Sequence, residues 1–194
     1  MVEIYGRSGT GKSQLAMQSA LFAAAAGKKV LYVDTEGSFR PERMEAVAAA
    51  RGMKGDGALE RIVYFRSKSS QEQMEAVREM ESRPLTAGSS MVVIDSLTRN
   101  FTLEMPGRRN MASRQSALNV HLSEVARDAF LHRRAYVLTN RVTFEGVQVV
   151  GIGGLTVENL VHLSLRLERE GSALVATSSS GGTARAEVGE RGVG

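Results

Sequence analysis

Near its N-terminus the chain reads Gly6-Arg7-Ser8-Gly9-Thr10-Gly11-Lys12-Ser13, between the apolar run Val2–Tyr5 and an alanine-rich segment. The apolar run is typical of a β-strand, and the segment after Lys12 is typical of a helix that extends to about Ala26. Glycines in such a turn let backbone N–H groups surround phosphate oxygens, and the helix start adds its partial positive charge. The order strand, glycine-rich turn and helix therefore predicts a phosphate-binding loop, or P-loop, for a nucleoside triphosphate.

Two side chains of this loop and one later carboxylate are expected to carry the chemistry. Lys12 is expected to reach the β- and γ-phosphates, and Ser13 to ligate Mg²⁺ through its hydroxyl group. A second apolar run, Met91–Ile94, leads into Asp95. A carboxylate in that place of a P-loop protein holds the same ion, often through water. The sequence therefore predicts ATP and Mg²⁺ as bound groups, with Ser13 and Asp95 as the metal site.

Polar residues also follow two other predicted strands. Val30–Asp34 leads into Glu36, and Ala135–Thr139 leads into Asn140-Arg141. Ligands of parallel sheets lie at the carboxyl ends of the strands, so these residues are expected to face the nucleotide. Glu36 could orient an attacking water molecule or pair with Arg40 or Arg43. Asn140 and Arg141 could sense the γ-phosphate or belong to an ordinary loop, and the spacing leaves both alternatives open.

The rest of the chain indicates how these motifs are joined. Apolar runs rich in β-branched residues alternate with helical patterns, which predicts a mostly parallel α/β sheet flanked by helices. The further predicted helices are Pro41–Arg51, Ser70 to about Ser82 with a capping box of Ser70 and Gln73, and Met111–His132 with Phe130 on its core side. The further predicted strands are Ile62–Phe65, Val161–Leu167, Ala173–Ser178 and Ala184–Val188. The last three, beyond about residue 155, predict a C-terminal antiparallel extension within one domain that covers residues 1–194.

The overall composition limits the classes of protein. The formal net charge is +4, which suits either an ordinary basic surface or binding to nucleic acid. The absence of cysteine excludes disulfides and cysteine-ligated metals. No apolar run reaches the roughly eighteen residues of a membrane span, and no secretory pattern is present. A cytoplasmic location and no membrane partner are therefore expected.

One arginine-rich segment is a candidate for contact with nucleic acid. Residues 99–114 are predicted to form a loop in which Arg108 and Arg109 stand beside Gly107. Aromatic residues make up only 5% of the chain, so no platform for stacking bases is evident. Contact with backbone phosphates is the interpretation that this composition favours.

Taken together, the motifs resemble the RecA/RadA recombinase family over almost the whole chain. The most specific match is Val33-Asp34-Thr35-Glu36-Gly37-Ser38-Phe39-Arg40-Pro41-Glu42-Arg43, which is similar to the archaeal and eukaryotic branch. The other matching segments are Gly11–Ala16, Val93–Thr98, Gly107-Arg108, Arg114-Gln115, His121-Leu122, Thr139–Val142 and Gly153-Gly154. The resemblance implies a RecA-type P-loop NTPase core.

The resemblance also implies roles that spacing alone does not assign. Glu36 becomes the expected catalytic carboxylate, together with Lys12. Arg43 becomes a candidate for stacking on the adenine ring, and Arg108, Arg109 and Arg114 become candidates for contact with single-stranded DNA. The expected nucleotide-binding residues are Gly6, Arg7, Ser8, Gly9, Thr10, Gly11, Lys12, Ser13, Gln14 and Arg43. Ligands of this family lie between neighbouring subunits, so a homo-oligomer is implied.

The chain departs from the family pattern in three ways. Arg141 stands where the family has a glutamine, about ten residues separate Val142 from Gly153 where a longer loop is usual, and the N-terminal segment is expected to be missing. Together with Leu165-Arg166-Leu167-Glu168, these departures resemble the archaeal RadB paralogues. The resemblance then implies a mediator that binds ATP and DNA, hydrolyses ATP weakly and assists a RadA-type recombinase. The alternatives are a KaiC-like signalling ATPase without DNA work, a small-molecule kinase, and a nucleotide-binding partner that does not hydrolyse ATP.

Overall fold

The computed structural model describes residues 1–53, 57–145 and 148–194. Within these residues, nine strands form one sheet in the order β11-β10-β9-β8-β1-β5-β4-β2-β3, and β6 and β7 form a separate hairpin. The strands are β1 (Val2–Gly6), β2 (Val30–Asp34), β3 (Ile62–Arg66), β4 (Met91–Asp95), β5 (Ala135–Asn140), β6 (Val142–Glu145), β7 (Gln148–Gly151), β8 (Leu163–Glu170), β9 (Ala173–Ser178), β10 (Thr183–Gly189) and β11 (Gly192–Val193). The strands from β8 to β3 in this order pair in parallel, and β9 to β11 add antiparallel pairs.

Helices cover both faces of the sheet. They are α1 (Lys12–Ala25), α2 (Pro41–Ala50), α3 (Ser70–Arg78), α4 (Arg99–Glu104), α5 (Met111–His132) and α6 (Leu155–Glu158). Successive side chains of a strand point to opposite faces, so Val30 and Tyr32 pack in the core that contains α1, whereas Leu31 and Val33 pack in the core that contains α5. Every residue of β2 is buried because the strand is covered on both faces.

The predicted fold class is confirmed: the chain has a mostly parallel α/β sheet flanked by helices, with antiparallel strands at its C-terminal end. Several short elements were not predicted, and two of them lie near the predicted sites. The segment 99–114 is not one loop, because α4 buries Asn100 and Phe101 and Arg114 lies in α5. The hairpin of β6 and β7 fills part of the interval before Gly153. Both elements are too short for a periodic apolar pattern to reveal them.

The start of α3 and the end of α5 differ from prediction. Ser69, not Ser70, caps α3: its hydroxyl oxygen accepts from the Glu72 amide at 3.1 Å. The predicted capping partner Gln73 is fully buried and donates to the Leu97 carbonyl at 2.9 Å. Phe130 was predicted to face the core, but it is 83% exposed, because the buried stripe of α5 runs through Leu122 and Val125 to Ala129 and leaves Phe130 on the solvent side.

A buried histidine joins three helices beneath the sheet. His121 in α5 is fully buried, lies 3.2 Å from the amide nitrogen of Gln73 in α3 and stacks on Phe101 of α4. Burial, with a smaller contribution from the positive charge of Arg78, lowers the pKa of His121 from 6.5 to about 4. The folded protein therefore keeps this imidazole neutral at pH values at which an unfolded chain already binds a proton.

Acidification is therefore expected to destabilise the fold through His121. The folded-state pKa is depressed, so the favourable contribution is complete above about pH 6.5 and is lost progressively as the pH falls towards 4. Between pH 7 and pH 5 the free energy of unfolding should fall by about 2 kcal/mol relative to His121→Gln, which does not titrate. Urea denaturation of both proteins at each pH measures this difference. Parallel pH profiles would contradict the prediction.

Candidate functional site

A cleft of about 330 Å³ lies at the carboxyl ends of the parallel strands, beside the predicted P-loop. Its lining includes Lys12, Ser13, Glu36, Asp95 and Arg141, which the sequence selected from five separate positions. A larger cavity of about 630 Å³ lies between the hairpin and β8, and it carries Glu3, Glu158 and Arg166. Its lining does not include Lys12 or Ser13 of the predicted P-loop, so the smaller cleft is the better candidate for a nucleotide site.

The glycine-rich turn is folded tightly between β1 and α1. Gly11 has φ 86°, a left-handed conformation that favours glycine, and it directly precedes α1. At Gly6 an added Cβ atom would lie 2.4 Å from the Leu167 carbonyl oxygen of β8, so only glycine fits where the turn begins. The Thr10 hydroxyl donates to the Arg7 carbonyl at 2.9 Å, and Lys12 Nζ donates to the same oxygen at 2.7 Å. These bonds hold the turn closed around its lysine.

Lys12 is a cation among carboxylates. Burial lowers its pKa, and the negative charges of Asp95 and Glu36 oppose that shift. The positive charge of Arg141 adds a smaller lowering of the pKa. Lys12 and Arg141 thus act on the same small volume, where two positive groups favour an anion.

Asp95 is the most enclosed carboxylate of the cleft, with 1% of its surface exposed. Ser13 Oγ donates to it at 3.2 Å, Tyr32 OH at 3.0 Å and Ser38 Oγ at 3.1 Å, and the Thr139 hydroxyl donates to it as well. Burial raises the pKa of Asp95, and these four hydrogen bonds oppose the shift by stabilising the anion. The network fixes the direction of both carboxylate oxygens.

The donor groups fit a magnesium ion held by few protein ligands. Ser13 and Asp95 offer a hydroxyl and a carboxylate within 3.2 Å of each other, and Mg²⁺ prefers such oxygen ligands, completed by water and phosphate. In the described part of the chain, no group of three or more His, Cys, Asp or Glu side chains is placed to hold a metal ion. The arrangement suits an ion that arrives with a polyphosphate better than a resident metal.

Asp34, which sequence reasoning passed over as a strand end, organises the loop that carries Glu36. Its buried carboxylate accepts from the backbone amides of Glu36 at 2.9 Å, Gly37 at 2.7 Å and Phe39 at 3.1 Å. The Ser38 amide donates to it as well at 3.3 Å, and four amides on one carboxylate define the path of the loop after β2. The signal in the sequence was an aspartate at the end of a wholly apolar strand, directly before a glycine turn.

Glu36 faces the cleft between two arginines. Arg141 Nη2 donates to both carboxylate oxygens at 2.8 Å, and Arg141 Nε donates to one of them at 3.1 Å. On the other side, Arg99 Nε lies 3.8 Å from the carboxylate, and Arg99 Nη1 donates to the Thr35 carbonyl at 2.9 Å. Glu36 lines the cleft, but it pairs with Arg141 and Arg99 and not with Arg40 or Arg43, the partners that the sequence offered as the alternative. Its partners come from α4 and the end of β5, far away in the sequence.

Asn140 does not line the cleft, contrary to the prediction that it senses phosphate together with Arg141. Its amide nitrogen donates to Glu3 at 2.8 Å and to the Ile152 carbonyl at 2.7 Å, and its amide oxygen accepts from the Thr98 hydroxyl at 2.8 Å. The reason is strand alternation: neighbouring side chains of β5 point to opposite faces, and Thr139 faces Asp95. Asn140 instead ties the base of the hairpin to β1.

Two further arginine side chains donate hydrogen bonds to residues that line the cleft. Arg43 Nε donates to the Gln14 amide oxygen at 3.2 Å, and its guanidinium also bonds to the Gly189 carbonyl at the end of β10. Arg169 of β8, which sequence reasoning missed, donates to the Gly9 carbonyl at 3.2 Å and lines the cleft. The antiparallel strands therefore close the side of the site that the P-loop leaves open.

The arginines predicted to contact nucleic acid are not equivalent. Arg108 and Arg109 are exposed in the turn between α4 and α5. Arg114 is partly buried in α5, where it donates to the Met105 carbonyl at 2.7 Å. It also lines a groove of about 410 Å³ between α5 and residues 152–156 at the base of the hairpin. Arg114 therefore borders the groove, whereas Arg108 and Arg109 lie in the turn that precedes α5 and are not part of the groove lining.

In the part of the chain that the structure describes, no helix has both the length and the apolar character that crossing a membrane requires.

Two comparisons with known proteins identify the family that the chain is similar to. The family model described as Rad51 matches residues 1–155, which include the P-loop, Glu36, Asp95 and Arg141. The DNA repair and recombination protein RadA of Ignicoccus hospitalis is 33% identical over 185 residues, and the alignment covers 87% of this chain. The same alignment covers 57% of the RadA sequence, so the chain spans little more than half the length of this curated relative.

Proposed function

The chain belongs to the Rad51 family, and from this premise we propose that it binds ATP with Mg²⁺ and acts with single-stranded DNA in homologous recombination and DNA repair. The observation that carries the proposal is the convergence of Lys12, Ser13, Glu36, Asp95 and Arg141 on one cleft. These residues supply two cations, a hydroxyl and two carboxylates at the carboxyl ends of parallel strands. Phosphoryl transfer to water needs this combination of groups.

Each group of the cleft has a role in the proposal. The backbone amides of residues 6–14 surround the phosphates, Lys12 neutralises charge on the β- and γ-phosphates, and Arg43 stacks on the adenine ring. Ser13 and Asp95 hold Mg²⁺, which when bound offsets the negative charge of the triphosphate. Glu36 orients the water molecule that attacks the γ-phosphorus atom and accepts its proton. Asp34 positions Glu36 through the four amides of its loop.

We propose further that the chain resembles a RadB-type mediator rather than a strand-exchange enzyme. Two observations support this narrower assignment. The interval between Val142 and Gly153 is largely taken up by a compact hairpin. The expected catalytic carboxylate is engaged by Arg141, where the family has a neutral glutamine. Both features favour weak hydrolysis of ATP. The homo-oligomeric arrangement and the RadA-type recombinase as partner follow from the resemblance to the RadB paralogues.

The groove between α5 and the base of the hairpin is the proposed place of single-stranded DNA. Arg108 and Arg109 are exposed and free to meet backbone phosphates, whereas Arg114 is held by the Met105 carbonyl and borders the groove. Asn140 bonds the Ile152 carbonyl in the wall of this groove, and it precedes Arg141 in the cleft. A short path of covalent and hydrogen bonds therefore connects the groove with Glu36.

Single-stranded DNA is expected to stimulate ATP hydrolysis, and the double variant Arg108→Ala/Arg109→Ala should lose this stimulation because two phosphate contacts are removed. Steady-state phosphate release with and without oligonucleotide measures the effect. Arg127→Ala, an exposed arginine in the middle of α5, is the matched control and should respond to DNA as the unaltered protein does.

The same measurement separates the alternatives. Tight binding of ATP and DNA without phosphate release would identify a nucleotide-binding partner that does not hydrolyse ATP. This is the second candidate function, and the ion pair between Glu36 and Arg141 favours it because the pair engages the expected catalytic carboxylate. An ATP hydrolysis rate that does not change when DNA is added, together with no detectable DNA binding, would contradict the recombination proposal and favour a signalling ATPase.

A further inference from the structure

The contact between Glu36 and Arg141 joins two groups that a nucleotide would also engage. The two residues are 105 positions apart in the sequence, yet the guanidinium meets the carboxylate through both Nη2 and Nε. This forked geometry is the one in which arginine binds carboxylates, and arginine binds phosphate groups in the same way. The guanidinium therefore has a second suitable partner whenever a γ-phosphate lies in the cleft.

The ion pair between Glu36 and Arg141 is weak enough for Arg141 to exchange the carboxylate for a phosphate group. Half of the Arg141 side chain and 24% of the Glu36 side chain are exposed to solvent. Ion pairs at such a level of exposure change the equilibrium constant between the paired and the separated side chains by no more than about fivefold. A terminal phosphate carries up to two negative charges and three acceptor oxygens, and it would also lie near Lys12. The guanidinium is therefore expected to prefer the phosphate over the carboxylate.

Glu36 keeps a partner if Arg141 leaves. Arg99 lies 3.8 Å from the carboxylate on its other side, and its own position is fixed by the hydrogen bond to the Thr35 carbonyl. The amide of Glu36 remains bound to Asp34 at 2.9 Å. Loss of the Arg141 contact would thus free one side of the carboxylate, the side towards the cleft, without releasing the loop that carries it.

We propose that Glu36 and the γ-phosphate compete for Arg141, so that this exchange makes Arg141 the residue that distinguishes a nucleoside triphosphate from a diphosphate. In the absence of a γ-phosphate, the Arg141 guanidinium forms an ion pair with the Glu36 carboxylate. When a triphosphate binds, the guanidinium moves to the terminal phosphate and Glu36 becomes free to orient water. The inference rests on the proposed nucleotide site, and it assigns to Arg141 an effect on affinity that does not depend on hydrolysis.

A double-mutant cycle on binding affinity tests the exchange. Calorimetric titration with the non-hydrolysable triphosphate AMP-PNP and with ADP, each with Mg²⁺, is carried out on the unaltered protein, Glu36→Gln, Arg141→Gln and the double variant. Glu36→Gln should bind AMP-PNP about three- to fivefold more tightly because the competing carboxylate is removed. ADP affinity should change by less than about twofold. Arg141→Gln should lose most of the preference for AMP-PNP over ADP, and Glu36→Gln should then bring no further gain.

Two control variants and one conservative variant accompany the double-mutant cycle. Glu42→Gln in α2 and Arg127→Gln in α5 change exposed side chains of the same charge and should leave both affinities unchanged. Arg141→Lys keeps the charge but loses the forked donor geometry, and its preference for AMP-PNP should lie between those of the unaltered protein and Arg141→Gln.

The outcomes are separable. An equal gain for ADP and AMP-PNP in Glu36→Gln, or the same gain in the Arg141→Gln background, would show only that a repelling charge was removed and would overturn the exchange. Weaker binding of AMP-PNP by Glu36→Gln would overturn it as well. If the unaltered protein bound neither nucleotide, the proposed nucleotide site itself would fail. Binding without coupling between the two residues would refute the exchange alone.

Discussion

Replacing Lys12 by alanine is expected to lower the affinity for ATP by a factor on the order of 100, the largest binding effect of any single change in the cleft. The loss corresponds to about 3 kcal/mol, which is typical for removing one member of a desolvated, hydrogen-bonded charge pair. Lys12 is partly buried between Asp95, Glu36 and the Arg7 carbonyl, so water cannot fully replace its ammonium group. Equilibrium titration with a fluorescent ATP analogue measures the change.

The matched control for Lys12→Ala is Lys28→Ala, an exposed lysine just beyond the end of α1. It removes the same charge from the same region of the chain and should leave ATP affinity within about twofold of the original. Equal affinities of Lys12→Ala and the unaltered protein would refute the assignment of the cleft as the nucleotide site, and the roles proposed for Asp95 and Glu36 would be lost with it.

Glu36→Gln is expected to reduce the rate of ATP hydrolysis at least about 100-fold, because a positioned general base contributes on the order of 10² to 10⁴ to the rate. The substitution keeps the size of the side chain and its place between Arg99 and Arg141, but glutamine cannot accept the proton of the attacking water. Single-turnover measurements with excess protein report this step without interference from product release.

The binding measurements decide how a slow Glu36→Gln variant is interpreted. Retained or tighter binding of AMP-PNP together with slow turnover would place the defect in the chemical step. Hydrolysis at the original rate would contradict a catalytic role for Glu36 and would leave nucleotide binding as the function of the cleft. The control Glu42→Gln removes an exposed carboxylate from α2 and should turn over ATP at the original rate.

The position of Arg141 next to Asn140 links the base of the hairpin to the proposed ATP site. Asn140 bonds to the Ile152 carbonyl at the base of the hairpin, and the next residue in the chain pairs with Glu36. A displacement of the hairpin by DNA would therefore act directly on the backbone that carries Arg141. A neutral side chain at this place would leave Glu36 without a charged partner on that side.

Local sequence determined most of what lies along single segments. The strand–turn–helix order around Gly6–Ser13, the carboxylate after Met91–Ile94 and the alternation of strands and helices indicated an α/β fold with a P-loop, and the resemblance to a known family implied its RecA type. The match of the Rad51 family model confirms the resemblance at the level of the family. Such features can be predicted because a P-loop needs fixed residue types at fixed spacing, and apolar periodicity follows from the repeat of each element.

Tertiary structure decided which side chains meet. Nothing in the spacing showed that Arg141 would pair with Glu36, that Arg99 would reach the same carboxylate, or that Asn140 would turn away towards Glu3. The direction of a side chain at a strand end depends on strand alternation and on the neighbours that fill the space around it. Ion pairs between distant segments depend on distances that only the packed sheet defines. The sequence therefore specified the components of the cleft, whereas the fold determined their pairing.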